Sequence, residues 1–276
     1  MFFVRKFCSA STSLLKKEVY QGNSVVRFIL NDEKRRNALS LQMIEELHAE
    51  LQGINKIKKL RSIIIASEGK VFSSGHDLNE LKTDKGVDMH SQVFDKCSQL
   101  IQFIQSMQVP VIAEVSGVAA AAGCQLVASC DIVVAAKSSK FLVPGQKVGI
   151  FCSTPGVALS RAVPSKVALD MLMTGRSLTS DEAQAFGLVS RVVPDEEVRL
   201  EALKVAEQIG EYSRSVTNLG KSFFYMQSQL NTAEAYRYGG KVMVANLKLQ
   251  DAQEGISAFI DKRTPEYIHT NEPVQQ

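Results

Sequence analysis

The chain has 276 residues, 45% hydrophobic and 22% charged, an ordinary globular composition long enough to bury a core in one or two domains. Its formal charge of +3 comes from the first stretch, where Arg5, Lys6, Lys16 and Lys17 precede the first acid, Glu18; subtracting those four from 32 basic residues leaves 28 against 29 acidic ones. A near-neutral body removes the electrostatic support for nucleic-acid binding, and no apolar run reaches the roughly 18 residues of a membrane span.

In chain order, MFFVRKFCSASTSLLKK (1–17) mixes apolar, hydroxyl and basic side chains without an acid, which predicts a mitochondrial transit peptide and a mitochondrial location; the alternative is a frayed terminus that targets nothing. VVRFIL (25–30) reads as a strand, and the loop NDEKRRNAL leads to an amphipathic helix capped near Ser40, with Met43, Ile44 and Leu47 on one face. SIIIAS (62–67) has the β-branched run of a buried parallel strand. The loop VFSSGHDL (71–78) follows, with a helix expected to begin at Asp77 and another across 89–107, where Val93, Cys97, Leu100, Ile101 and Ile104 share a side. Pro110 precedes the strand VIAEV (111–115), a small-residue helix is expected over 119–129, and DIVVAA (131–136) returns to strand. Beyond residue 149 only LVSRVV (188–193) reads as a strand, and helices are expected over 158–173, 180–186, 195–209, 215–229, 232–249 and 251–262. Strand, crossover helix, strand predicts an α/β fold with a parallel sheet, and a helical tail covers that core or a neighbouring subunit.

Five cysteines, Cys8, Cys97, Cys124, Cys130 and Cys152, form no C-x-x-C pair and no zinc-spaced cluster with histidine, so they read as reduced core thiols and no metal site is expected. Chemistry is expected in two loops that each follow a strand and precede a helix, VFSSGHDL and the start of GVAAAAGCQLVASCD (117–131). Their small side chains let a ligand lie against the backbone, and peptide N–H groups from both could converge on one oxygen, although tight helix packing also accounts for a run of alanines.

Together with RRNAL (35–39), VPVIAEVSGVAAAAGCQLVASCDIVVA (109–135), STPGVAL (153–159) and EGISAFIDKR (254–263), these motifs resemble, in one order and over nearly the whole body, the enoyl-CoA hydratase/isomerase (crotonase) superfamily. The resemblance implies an α/β crotonase-like spiral of ββα units over 18–200 and a C-terminal helical trimerisation region over 201–276, assembled as a homotrimer or homohexamer. It implies an acyl-CoA thioester as substrate or ligand and no permanently bound cofactor. It places the oxyanion donors at the amides of Ser74 and Ala122, and the bend of CoA near Arg36, Ala38, Ser74, His76, Asp77 and Leu78, with Lys34 and Arg35 or Arg36 toward CoA phosphate.

The family's hydratases move the protons of water with two glutamates, and this sequence departs from both: Gln125 stands in place of the first and Gly145 in place of the second. Glutamine has no carboxylate and glycine no side chain, and each acid/base group supplies on the order of 10²–10⁴ in rate, so hydration is expected to be weak or absent. Restoring both glutamates at 125 and 145 is expected to create it. His76 is the titratable candidate for catalysis, and Gln125 can position water or substrate. Four readings stay open: an acyl-CoA enzyme stabilising an enolate, with decarboxylation or thioester chemistry through His76 among its forms; a non-catalytic acyl-CoA-binding regulator of fatty acid metabolism; a weak hydratase; and a structural partner with a vestigial pocket. Asp131 reads as a structural acceptor, Glu114 as a core residue only if paired, and Ser153 as a helix start, with no His–Asp pair to make a nucleophile of Ser153 or Cys152.

Overall fold

The computed structural model describes residues 5–7 and 13–274. Most of the leader, with Cys8, lies outside the described residues. Those residues form strands β1 (Arg5–Phe7), β2 (Leu15–Tyr20), β3 (Val25–Leu30), β4 (Ser62–Ser67), β5 (Val71–Ser73), β6 (Val111–Val115), β7 (Val118–Ala120), β8 (Ile132–Ala136), β9 (Lys140–Leu142), β10 (Ser177–Thr179) and β11 (Arg191–Val193). The helices are α1 (Leu41–Asn55), α2 (Gly86–Ser106), α3 (Ala122–Ser129), α4 (Ser153–Ala162), α5 (Ser165–Thr174), α6 (Ser180–Ala185), α7 (Val198–Gly210), α8 (Arg214–Gln227), α9 (Thr232–Leu247) and α10 (Gln250–Ile260).

One sheet has the order β1-β2-β3-β4-β6-β8-β11 and the second β10-β9-β7-β5. From β3 to β11 the neighbours in the first sheet run parallel, and β1, β2 and β3 form an antiparallel edge. SIIIAS is buried on both faces because helices cover both. Ile63 and Ile65 belong to the same core as Leu47 and Leu100 of α1 and α2, while Ile64 between them belongs to a second core with Val198 and Ala202 of α7, the period of two that a pleated strand imposes. The sheet starts earlier than the charge boundary at 18: Leu15 is buried in the same core and pairs with Leu30, so the last residues of the 1–17 stretch belong to β2.

Three expected helices change. Segment 77–85 is a pair of turns, with Asp77 Oδ1 accepting from the Asn79 N–H at 2.9 Å and a short 3-10 turn at Thr83–Lys85, and α2 begins only at Gly86. Residues 118–120 form β7, and α3 waits until Ala122 because Ala121, at φ 48°, reverses the chain while its N–H donates to the Leu142 carbonyl of β9 at 2.9 Å. Segment 158–173 splits into α4 and α5, since Pro164 forces the residue before it, Val163, into extended backbone.

Polar ties hold the layers. Ser40 caps α1 by accepting from the Met43 N–H. Arg27 donates to both oxygens of Glu114, at 2.6 and 2.7 Å, and to Glu18 at 3.0 Å, so Glu114 is buried in a pair. Asp131 accepts from the Val111 N–H at 2.6 Å, Lys221 Nζ at 2.7 Å and the Tyr225 hydroxyl at 2.9 Å, which fastens α8 to the sheet. The C-terminal helices leave Phe224, Tyr236, Met243, Val244, Phe259 and Ile260 exposed. Among the described residues no helix is long and apolar enough to cross a membrane.

Candidate active site

Strands β5 and β7 are parallel neighbours, so the turns that follow them lie side by side. The first passes through Gly75 at φ 90°, and the second through Ala121 into the N-terminus of α3. Their approach requires small residues. A Cβ on Gly75 would stand 2.8 Å from Ala121 Cβ and 3.2 Å from the Ala122 nitrogen, and one on Gly123 would stand 2.7 Å from the Ser73 carbonyl oxygen. The alanine and glycine run at 119–123 is therefore a contact between two backbones as well as a helix start.

These turns form one wall of a cavity of about 620 Å³, reached by Ser74, His76 and Leu78 from the first and by Ala121 and Ala122 from the second. Leu81, Phe94, Ile150 and Phe151 supply apolar walls, and the segment 144–155 closes the other side. Of the residues expected at the bend of CoA, Ser74, His76 and Leu78 line the cavity, whereas Arg36, Ala38 and Asp77 do not. Ala38 is buried and the Asp77 carboxylate faces Arg35 at 3.6 Å.

Arg36 decides which amides are free. In left-handed backbone at φ 54°, it turns its carbonyl to accept the Ser74 N–H at 3.0 Å. Ser74 is thus engaged, which corrects the expected donor pair: in these two turns the amides of His76 and Ala122 line the cavity without an acceptor among the described residues, as do those of Leu78, Phe151, Cys152 and Thr154 elsewhere on its lining. Those of His76 and Ala122 flank the Gly75–Ala122 contact, and Ala122 adds the positive end of the α3 dipole.

The His76 ring faces the Leu39 carbonyl through Nδ1 at 3.2 Å and stands edge-on to Phe94 with ring centroids 5.3 Å apart. A carbonyl can only accept, so Nδ1 carries the hydrogen. Burial holds the imidazole below its usual range, the Leu39 bond opposing this, so the ring is neutral near pH 7 and its Nε2 lone pair lies buried without a partner. Gln125 sits one turn beyond Ala121 on α3, buried and outside the cavity lining, and its Oε1 has no hydrogen-bond donor.

Gly145 lines the cavity, but there is no room for a side chain on it: a Cβ would lie 2.2 Å from the Ile150 carbonyl oxygen and 2.7 Å from Cys152 Sγ. The Ile150 N–H donates to the Gly145 carbonyl at 2.9 Å and closes this loop. A glutamate at 145 therefore requires this loop to move, which counts against the expectation that glutamates at 125 and 145 would create hydration. Burial pushes the Cys152 thiol up, and the Cys97 and Cys124 thiols up to about 12; with Cys130 these are free and buried.

Leu81, Phe94 and the apolar rim of Val148, Ile150 and Phe151 escaped the sequence reading. The signal for Phe94 was its place beside Val93, off the buried stripe of α2. For Ile150 and Phe151 it was an apolar pair in a loop that begins and ends in turn residues.

The model of the family described as enoyl-CoA hydratase/isomerase matches residues 20–270. Among curated relatives, enoyl-CoA hydratase domain-containing protein 3, mitochondrial, of Xenopus laevis is 51% identical over 91% of this chain and 85% of its own length, and the protein so named in Homo sapiens is 50% identical over 92% and 83%. Both names place those relatives in mitochondria, in agreement with the composition of the leader. The crystal structure of the human enoyl coenzyme A hydratase domain-containing protein 3 superposes with a TM-score of 0.90 at 47% identity, covering 92% of this chain and all of that one. That of an enoyl-CoA hydratase from Mycobacterium smegmatis gives 0.90 at 39% identity, over 94% of this chain and all of that one. The fold is the crotonase fold, and the chain belongs to the enoyl-CoA hydratase/isomerase family.

Proposed function

We propose that the chain is a mitochondrial acyl-CoA-binding protein of fatty acid metabolism that holds a thioester carbonyl between the amides of His76 and Ala122 and does not perform ordinary hydration. The observation that carries this reading is the close approach of two turns whose His76 and Ala122 amides, at the wall of one apolar cavity, have no acceptor among the described residues. Donors fixed in place around a developing oxyanion need no reorganisation when charge arrives, and the apolar walls suit an acyl chain. Leu78, Val148 and Phe151 are exposed at the mouth, where a chain could cover them. Hydration lacks its acid and base, because Gln125 offers an amide and the space at Gly145 is filled by Ile150 and Cys152. The apolar surface of α8, α9 and α10 supports assembly as a homotrimer or homohexamer.

Calorimetry with butyryl-CoA tests the binding, with affinity in the micromolar range expected and none up to millimolar concentration overturning the reading. Crotonyl-CoA hydration is expected to run at least about 10⁴-fold below a hydratase with both glutamates. Sedimentation analysis of the same preparation checks the assembly.

A further inference from the structure

Two guanidinium groups meet at the start of β4 with only neutral acceptors between them. Arg61 Nη1 donates to the Lys58 and Leu60 carbonyls, at 2.9 and 3.2 Å. Arg214, the first residue of α8, donates through Nε to the same Leu60 carbonyl at 3.0 Å and through Nη2 to Gln108 Oε1 at 2.8 Å. Arg214 is only 7% exposed, and a cation so buried ordinarily faces an anion. Nε and Nη2 of Arg61 and Nη1 of Arg214 have no acceptor among the described residues, and none of the three is sealed from solvent. Burial and the Arg214 charge hold Arg61 below its usual range, opposed by Asp251, whose carboxylate is already engaged by the Ser213 hydroxyl and the Ile268 and His269 N–H groups.

We infer that this corner is a phosphate-binding site, in which Arg61 and Arg214 clasp one phosphate group. A planar guanidinium offers two parallel N–H bonds to phosphate oxygens, and a dianion balances two like charges that a single carboxylate would leave in excess. His269 belongs to the same cluster. Its Nδ1 accepts the Arg214 N–H at 3.2 Å, and burial with the two arginine charges holds its ring below the usual range, so the neutral imidazole carries its hydrogen on Nε2 as a third donor. Lys56, Lys58 and Lys59, exposed in the loop before Arg61, add a field that attracts an anion. The site is separate from the cavity: Arg61 stands at the beginning of β4, whereas the cavity turns lie beyond the other end of the strands, six residues or about 20 Å away. A soluble phosphate compound and a phospholipid headgroup share this chemistry.

The test is calorimetry of the full chain with inorganic phosphate, ionic strength held constant with chloride, beside flotation with phosphatidylcholine vesicles that contain or lack phosphatidylglycerol. Saturable binding of phosphate, one per chain and in the millimolar range or tighter, is expected. Arg61→Gln, which gives up bonds to two local carbonyls only, is expected to weaken it at least about tenfold. Phosphate binding without flotation supports the site and assigns it to a soluble ligand, whereas flotation that requires phosphatidylglycerol and is lost in Arg61→Gln supports it and assigns a lipid headgroup. If the parent chain takes up neither probe the inference is overturned, whatever the fate of the variant, and binding that a folded Arg61→Gln retains in full overturns it as well.

Discussion

The charged cluster buried in the large sheet and the polar groups buried beside the cavity are treated in opposite ways. In the sheet, Arg27 is surrounded by the carboxylates of Glu114 and Glu18, and Glu18 also accepts from the Tyr20 hydroxyl at 2.6 Å and from Arg199 at 2.9 Å. Beside the cavity, His76 Nε2 and Gln125 Oε1 have nothing. A buried polar group that ties elements together finds its partner within the chain, because an unpaired charge in the core costs more than the fold can spare. The Ser62 and Ser67 hydroxyls of β4 are open too, so it is the amides of His76 and Ala122 at the cavity wall that bear on a partner from outside.

Breaking the tied region should have the largest effect. Glu114→Ala leaves the Arg27 guanidinium buried with Glu18 alone, and is expected to destabilise the fold by about 3–5 kcal/mol in urea titrations. Arg27→Met with Glu114→Leu should recover most of that loss, since replacing both members of a buried pair removes the desolvation cost with the attraction. A single substitution costing less than about 1 kcal/mol would show that the network is not a tie. The same cluster predicts a response to acid. Burial alone would raise the Glu18 carboxyl, but the Tyr20 hydroxyl and the charges of Arg27 and Arg199 hold it below the usual carboxylate range. A folded-state value below the unfolded one stabilises the protein above the unfolded value, and this stability is lost as pH falls through the folded value.

The second test is at the sealed corner of the cavity. Gly145→Ala places a methyl where the Ile150 carbonyl already lies, so the loop must open, at a cost of about 1–3 kcal/mol. Gln125→Glu with Gly145→Glu should be less stable still and should show no crotonyl-CoA hydration above the parent level. Measurable hydration in that double variant would mean that the loop yields readily, and the contrast between a closed corner and an open cradle would weaken.

That corner shows how far the sequence could be read. Gln125 and Gly145 are visible where the resemblance expects glutamates, and the two turns at the cavity are visible as small residues after β-branched runs. Whether position 145 has room for a side chain depends on Ile150 and Cys152 folding back, which no local pattern encodes. The same limit explains the shift from Ser74 to His76. Both carry an amide in the right turn, and the choice is made by the Arg36 carbonyl, 38 residues away and in left-handed backbone. The second sheet was missed because β5, β7, β9 and β10 are three residues each, too short for an alternation to register. The parallel sheet was readable because VVRFIL, SIIIAS and VIAEV are longer, β-branched runs, apolar apart from Arg27 and Glu114, which pair with each other.

The smallest expected effect distinguishes the two regions most directly. Gln125 is as buried as the members of the Arg27 cluster, yet its Oε1 accepts from no donor in the chain. Gln125→Leu exchanges an unpaired acceptor for methyl groups of similar bulk, so it gives up no bond through that oxygen and relieves a desolvation penalty; stability should stay level or rise by about 1 kcal/mol. The corresponding change in the sheet, Arg27→Leu, strips Glu114 and should destabilise as Glu114→Ala does. If Gln125 positions a bound ligand from beneath the cradle, Gln125→Leu should still weaken butyryl-CoA binding in calorimetry while the melting temperature holds or climbs. Loss of stability with unchanged affinity would instead assign this amide to the fold, and the distinction between tied and open polar groups would then rest on His76 alone.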